Sequence, residues 1–284
     1  TRTGIRERRI SSGEGTRHLA AKAAERALAA AGVAPEELDI IILGTSSPDR
    51  NYPSDACSVQ AAIGAVNAVA FDISAACAGF IFAMNIVEGF FKAGIYKTAL
   101  IIGAETLSKV TDWSDRGTCV LFGDGAGAAV LKAEETGIID MMMGADGTKG
   151  DVLACTSRTV GNFLTGTKPE LGFMTMDGQE VFKFAVRKVP ESVMELLQRT
   201  GTKKEDIKYY VLHQANERII EAAARRLKEP MEKFPMTIGQ FGNTSTASIP
   251  LLLNDMIQKN MLKRGDKIIM SGFGAGMTWG AVLM

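Results

Sequence analysis

The stretch Val69–Gly94, "VAFDISAACAGFIFAMNIVEGFFKAG", decides the fold. "VAFDIS" reads as a strand that runs directly into a cysteine, Cys77, set among the small residues Ala75, Ala76, Ala78 and Gly79. The residues that follow are apolar on nearly every helical face, so the spacing predicts a helix buried all round. A helix of that kind needs structure on every side of it.

Working outward, "LDIIILGTSS" (38–47) and "TALIIGAET" (98–106) read as buried strands. A helix is predicted from Arg17 to Gly32, stopped by the glycine. "TCVLFGDGAGAAVLKA" (118–133) reads as strand, tight glycine turn, strand; it lacks the Lys-Ser/Thr of a phosphate loop. Near-continuous apolar strands separated by helices imply a mostly parallel sheet covered on both faces.

The second half repeats this order. "FKFAVRKVPESVMELLQRTG" (182–201) is a helix with a glycine stop, and "IKYYVLHQAN" (207–216) is a strand. "FGNTSTASIPLLLNDMIQKNMLKRG" (241–265) is a small-residue turn into a helix, matching the opening stretch, and "KIIMSGFGAG" (267–276) matches "TALIIGAET". The chain is therefore expected to form two similar α/β halves, residues 1–140 and 181–284, joined by a connecting segment of 141–180. Groups that act in open α/β sheets gather beyond the carboxyl ends of the strands. Cys77, His213 and Asn243 all fall there.

Bulk properties narrow the classes. The chain has 284 residues, 46% of them apolar, with 30 Gly and a formal net charge of zero from 32 basic and 32 acidic residues. That suits a glycine-rich α/β enzyme and argues against a nucleic-acid binder, which carries a basic excess. Four cysteines without a CxxC pair, and two histidines, suggest neither a disulfide framework nor a metal site. No apolar run reaches membrane-spanning length without a charge or turn.

Three residues carry the chemistry. A helix beginning at Cys77 aims free N–H groups and a positive dipole end at the sulfur, which is expected to lower the thiol pKa and favour the nucleophilic thiolate. The alternative is an inert buried thiol. Cys57, Cys119 and Cys155 lack this setting and are expected to pack. His213 ends an apolar strand, where a polar ring is either a satisfied core residue or a donor or base toward a reacting oxygen; His18, among charged residues, reads as a surface residue. Asn243 is a turn or cap residue by itself and becomes a second neutral donor if it shares a cleft with the other two. The loop "SGFGAGMTWG" (271–280) lets backbone approach closely, and an N–H near Ala275 could pair with that of Cys77 as an oxyanion hole.

Taken together, "TRTGIRER", "DISAACAGF", "DRGTCVLFGDGAGAAVL", "HQAN", "FGNTSTASIP" and "GFGAGMTWG" resemble, in this order, the motifs of the thiolase-fold condensing enzymes, and among them the β-ketoacyl-acyl-carrier-protein synthase III family. The resemblance runs the length of the chain. It implies a thiolase-like fold with mixed sheets and buried central helices, and a Cys-His-Asn triad at Cys77, His213 and Asn243. It further implies a condensing acyltransferase that primes fatty-acid synthesis from an acyl-coenzyme A and malonyl-acyl carrier protein, with no permanently bound cofactor. The two oxyanion sites would be the His213–Asn243 pair and the N–H groups of Cys77 and Ala275. Phe273 matches a position beside the cysteine. Arg2, Thr3, Arg116, Phe182 and Asn216 match positions that line the coenzyme A tunnel. Lys183, Arg218, Arg225 and Arg226 would meet the acidic carrier protein. Tyr52 matches a position that crosses a homodimer interface into the partner's acyl pocket. The family sits in the bacterial cytoplasm or a plastid-type stroma, and its members carry a strand and helix ahead of "TRTGIRER".

Related chemistries fit less well. A 3-hydroxy-3-methylglutaryl-coenzyme A synthase needs a glutamate near the cysteine, and Glu88 and Glu105 sit in no matching motif. A degradative thiolase needs a second cysteine in the final glycine loop, and chalcone-type synthases differ in the flanking motifs. A condensing enzyme of secondary metabolism, a cysteine thioesterase and a non-catalytic remnant are the remaining alternatives.

Overall fold

The computed structural model describes residues 3–284. Two four-stranded sheets form the frame. The first has the order β2-β1-β3-β4, from β1 (Ile40–Gly44), β2 (Val69–Ile73), β3 (Thr98–Glu105) and β4 (Gly125–Lys132). The strands β2, β1 and β3 are parallel and β4 is antiparallel. The second sheet has the order β5-β10-β9-β8, from β5 (Asp140–Ala145), β8 (Ile207–Leu212), β9 (Lys267–Gly274) and β10 (Thr278–Leu283). Here β8 and β9 are parallel, and β10 is antiparallel to both its neighbours. A short hairpin, β6 (Leu153–Cys155) with β7 (Met174–Met176), stands apart.

Among the described residues, seven α-helices pack with these sheets: α1 (Thr16–Ala31), α2 (Asp55–Ile63), α3 (Gly79–Lys92), α4 (Gly178–Thr200), α5 (Glu217–Leu227), α6 (Ile238–Phe241) and α7 (Ser248–Gln258). Strand alternation decides the layers. Ile41, Leu43, Leu100 and Ile102 pack with Ala20, Leu28 and Val59 of α1 and α2. Their neighbours Ile40, Ile42 and Ile101 point the other way, into a core with Phe80 and Met84 of α3 and Leu252 and Met256 of α7. Val211, Met270 and Val282 of the second sheet enter that same core from its far side. Tyr210, Leu212 and Ile269 face outward against α4 and α5. The result is helix, sheet, helix, sheet, helix, with α3 and α7 at the centre. Strands buried on both faces read as near-continuous apolar runs, hence "IIILG" and, beyond Lys267 at its start and the buried Ser271, "KIIMSGFG".

The two halves share a corner ahead of their central helices. Residues 76–78 and 245–247 each form a 3-10 turn, and in each the first residue is left-handed without being glycine: Ala76 at φ 45° and Ser245 at φ 48°. The expected connecting segment of 141–180 begins within β5, so its first residues are hydrogen-bonded into the second sheet.

One expectation fails. Thr118–Leu121 is a turn, where a strand was predicted. Asp115 accepts hydrogen bonds from the Gly117 N–H and the Thr118 hydroxyl, and the Arg8 guanidinium donates to the carbonyls of Cys119 and Phe122. Side chains thus occupy groups that a strand would need. The glycines after Asp124 are also not a turn: Gly125 and Gly127 lie inside β4. A methyl on Gly127 would come 2.8 Å from Pro250, so bare backbone here lets α7 lie on the strand.

Candidate active site

Cys77 is the middle residue of the 76–78 turn, just ahead of α3, and only 6% exposed. The end of β9 presses on it: a methyl at Gly274 would come 2.5 Å from the Cys77 nitrogen. The hairpin after β9 is pinned to the same turn, because the Thr278 hydroxyl donates at 3.0 Å to Ala75 O and lies 3.1 Å from Ala275 O. Among the described residues, no turn or loop hydrogen bond uses the N–H of Cys77 or of Ala275.

His213 follows β8 directly and is 2% exposed. Its N–H donates to Ser271 O of β9 at 2.8 Å, which fixes the backbone. Its Nδ1 lies 2.7 Å from the Ser248 hydroxyl at the start of α7. The ring meets Phe273 edge-on, with centroids 5.3 Å apart. Gln214, also buried, holds the loop ahead of α6 by accepting from the N–H groups of Thr237 and Ile238.

Asn243 is locked by its backbone to the first half: its N–H donates to Leu121 O at 3.0 Å, and its carbonyl accepts from the Gly123 N–H at 2.9 Å. Its Oδ1 accepts from the Ser245 N–H at 2.9 Å. The Ser245 hydroxyl acts on the Cys77 thiol, pulling its pKa down. Ser245 therefore faces both Asn243 and Cys77.

The electrostatics correct one expectation. Burial pushes the Cys77 thiol up to about 12; the Ser245 hydroxyl pulls it down, the Glu105 charge pushes it further up, and its own N–H pulls it down. The helix N-terminus was expected to lower it. The sulfur lies fully inside the protein, and desolvation of the charged form dominates. Burial likewise lowers His213 to about 3, so its imidazole is neutral. The Cys77 thiol and the His213 imidazole both rest uncharged at neutral pH.

The outlying residues are placed as follows. Arg2 lies outside the described residues. The Thr3 carbonyl accepts from the Glu217 N–H at 3.0 Å, and Asn216 caps α5 by accepting from the Arg218 N–H at 2.9 Å, so Thr3 and Asn216 meet at one helix end. Phe182, on α4, packs half-buried against the core that contains Phe273, and Ala275 does the same. Arg116 is exposed in the turn after Asp112, and no hydrogen bond or ion pair among the described residues ties it to Thr3 or Asn216. Tyr52 is 85% exposed. Lys183 pairs with Glu180 at 2.7 Å and Arg225 with Glu221 at 3.8 Å. Arg226 donates to Val186 O at 2.7 Å, tying α5 to α4, while Arg218 is exposed. Cys57 and Cys155 are exposed, against the expectation that they pack; Cys119 is partly buried. Among the described residues there is no cluster of His, Cys, Asp and Glu able to hold a metal, and no helix is long and apolar enough to cross a membrane.

Ser245, Thr246, Ser248 and Glu105 were not singled out from the sequence as site residues. The available signal was the run of hydroxyls in "NTSTAS" ahead of an apolar helix. All of them are buried.

Comparison with known proteins decides the family. The family model described as 3-oxoacyl-[acyl-carrier-protein] synthase III matches residues 71–147, and that of its C-terminal region matches residues 197–284. A β-ketoacyl-[acyl-carrier-protein] synthase III of Clostridium novyi is 52% identical over 285 residues, covering 100% of this chain and 88% of its own length. The chain belongs to the β-ketoacyl-acyl-carrier-protein synthase III family. The 3-oxoacyl-[acyl-carrier-protein] synthase III of Aquifex aeolicus, known from its crystal structure, superposes on this synthase with a TM-score of 0.91 at 46% identity, covering 99% of this chain and 88% of that one. The priming β-ketosynthase of the R1128 polyketide pathway shares the fold, at a TM-score of 0.90, with 34% identity and coverage of 100% and 86%. The thiolase-like fold and the condensing acyltransferase activity of fatty-acid synthesis follow from this membership. The secondary-metabolism alternative is not favoured, since the fatty-acid relatives are the more similar.

Proposed function

We propose that this synthase primes chain growth through an acyl group carried on Cys77. The Cys77 thiol attacks the carbonyl of an acyl-coenzyme A, with acetyl as the primer. The new C–S bond forms as coenzyme A departs, and the thiol proton leaves with it. Malonyl-acyl carrier protein then loses carbon dioxide. Its enolate carbon attacks the acyl-cysteine, and the Cys77 sulfur is expelled and takes up a proton. The product is a 3-ketoacyl-acyl carrier protein.

The observation that carries this reading is the placement of Ser245, whose N–H holds Asn243 Oδ1 and whose hydroxyl lowers the Cys77 thiol pKa, together with a neutral His213. The Ser248 hydroxyl accepts from the Gln214 N–H at 3.4 Å and lies 2.7 Å from His213 Nδ1, and in this reading it donates its proton to that nitrogen. The ring proton then sits on Nε2, and His213 serves with Asn243 as a neutral donor to the enolate oxygen. The N–H groups of Cys77 and Ala275, free of turn and loop partners, would hold the oxyanion formed on the acyl group. Phe273 shields the imidazole.

Thr3, Asn216, Phe182, Arg116 and Arg2 are assigned to the coenzyme A path. Lys183, Arg218, Arg225 and Arg226 are assigned to carrier-protein docking, and exposed Tyr52 to a homodimer contact. No permanently bound cofactor is assigned, and the compartment is taken to be the cytoplasm. The test is a coupled assay: acyl-loaded synthase mixed with malonyl-acyl carrier protein should yield ketoacyl-carrier protein and carbon dioxide. Release of free acid and water-dependent loss of the acyl group would instead favour a thioesterase.

A further inference from the structure

Ala76 sits at φ 45°, a left-handed conformation in which the Cβ of an L-residue crowds the backbone. Such a conformation persists only where surrounding structure fixes it, and it precedes the nucleophile directly. Thr246, from the other half of the molecule, supplies the fixing contact. Its hydroxyl lies 2.9 Å from Ala76 O and 2.8 Å from Glu105 Oε1, so one proton is shared between two acceptors.

Neither end of this contact is free to move. Glu105 is fully buried, and its carboxylate also accepts from the Ser46 N–H, the Ser47 hydroxyl at 2.6 Å and the Thr45 hydroxyl at 3.2 Å. The Thr246 methyl is wedged against Gly44 and Gly79, where added methyl groups would come 2.8 and 3.0 Å from it.

A trans peptide is planar, with its C=O and N–H pointing opposite ways. Drawing the Ala76 carbonyl toward Thr246 therefore turns the Cys77 N–H away from it. On that other side lies Gly274, close to the Cys77 nitrogen, followed by Ala275.

We infer that Thr246, braced by Glu105, is the positioning residue of the acyl oxyanion hole: it orients the Ala76–Cys77 peptide so that the Cys77 N–H converges with that of Ala275. The inference rests on the proposed use of that N–H during acyl transfer. Glu105 has no direct part in proton transfer here, because its carboxylate is filled by donors from the end of β1 and from Thr246.

The test follows acyl transfer from acetyl-coenzyme A to Cys77 by rapid-quench intact mass, for wild type, Thr246→Val and Thr246→Ser. Valine keeps the shape and removes the hydroxyl; serine keeps the hydroxyl. Thr246→Val should slow acylation roughly 10- to 100-fold, part of the loss seen when an oxyanion donor is deleted, with the KM for acetyl-coenzyme A changed less than about threefold. The final extent of acylation should stay at the wild-type level, because unfolding would lower the extent and leave the rate of the surviving molecules intact. Thr246→Ser should recover to within about fivefold of wild type, as a retained donor implies. Wild-type acylation rates in the valine variant would overturn the inference and leave the synthase reading standing. No acyl transfer in wild type would overturn both. If the valine variant is unfolded, Thr246→Ala and Glu105→Gln are read by the same rate-against-extent criterion, and a wild-type rate in either overturns the inference.

Discussion

The Ser248 hydroxyl lies 2.7 Å from Nδ1 of His213. This contact sets which ring nitrogen carries the proton, and a neutral imidazole can serve as donor or as base depending on that choice. Ser248→Ala frees the tautomer. Condensation kcat should fall roughly 10-fold or more, within the range of one lost orienting hydrogen bond at a reacting group, while acyl loading of Cys77 changes little. Stopped-flow measurement of the two half-reactions checks this. Equal losses in both would contradict the assignment of His213 to the enolate step.

The paired shifts at Cys77 and His213 fix a stability window. His213 is lowered from 6.5 to about 3, so its contribution is present above pH 6.5 and is lost as pH falls toward 3. Cys77 is raised from 9.0 to about 12, so its contribution is present below pH 9 and is lost as pH rises toward 12. Each group changes stability by at most about 1.4 kcal/mol per pH unit, the limit for one proton. Urea unfolding at pH 4 to 6 should therefore show a steeper loss for wild type than for His213→Asn. Parallel curves would contradict the burial of a neutral ring.

Gly274 should tolerate no side chain. A methyl there meets the Cys77 nitrogen at 2.5 Å and the Ala76 methyl at 2.9 Å. Gly274→Ala is expected to cost about 1–3 kcal/mol as an overpacked core substitution and to abolish acyl loading by displacing the turn. Thermal melting and intact mass together check this, and a stable, fully loading variant would refute the close approach.

Arg218 is the cleanest probe of carrier docking, because Arg226 also holds α4 to α5 through Val186 and its loss would disturb packing. Arg218→Glu should raise the KM for malonyl-acyl carrier protein about tenfold at low salt, with a smaller effect at high salt as screening weakens the contact. An unchanged KM would place the docking face elsewhere.

Much of this was legible in the sequence, for physical reasons. Strands such as "IIILG" are apolar throughout because both faces are covered, and α3 is apolar from Gly79 to Met84 because it lies between two sheets, with Glu88 and Lys92 at its far end forming an ion pair. The order of the motifs pointed to Cys77, His213 and Asn243; the first two come after β2 and β8, whereas Asn243, expected after a strand, follows α6 and bridges to Phe122. What escaped reading depends on contacts between the halves. Thr246 and Glu105 stand 141 positions apart, and nothing local distinguishes either from a turn residue or a strand end. The strand expected at "TCVLFG" failed because Arg8, over a hundred positions away, takes carbonyls of that segment. The thiol shift was misread because helix-end electrostatics can be inferred from spacing, whereas full burial of one sulfur cannot.

The most direct test of the central claim is intact-protein mass spectrometry after mixing with acetyl-coenzyme A, for wild type and Cys77→Ser. The account predicts one acetyl added to wild type, mapped to the peptide containing Cys77, and none on the serine variant. An acetyl on exposed Cys57 or Cys155, or equal labelling of both proteins, would contradict it.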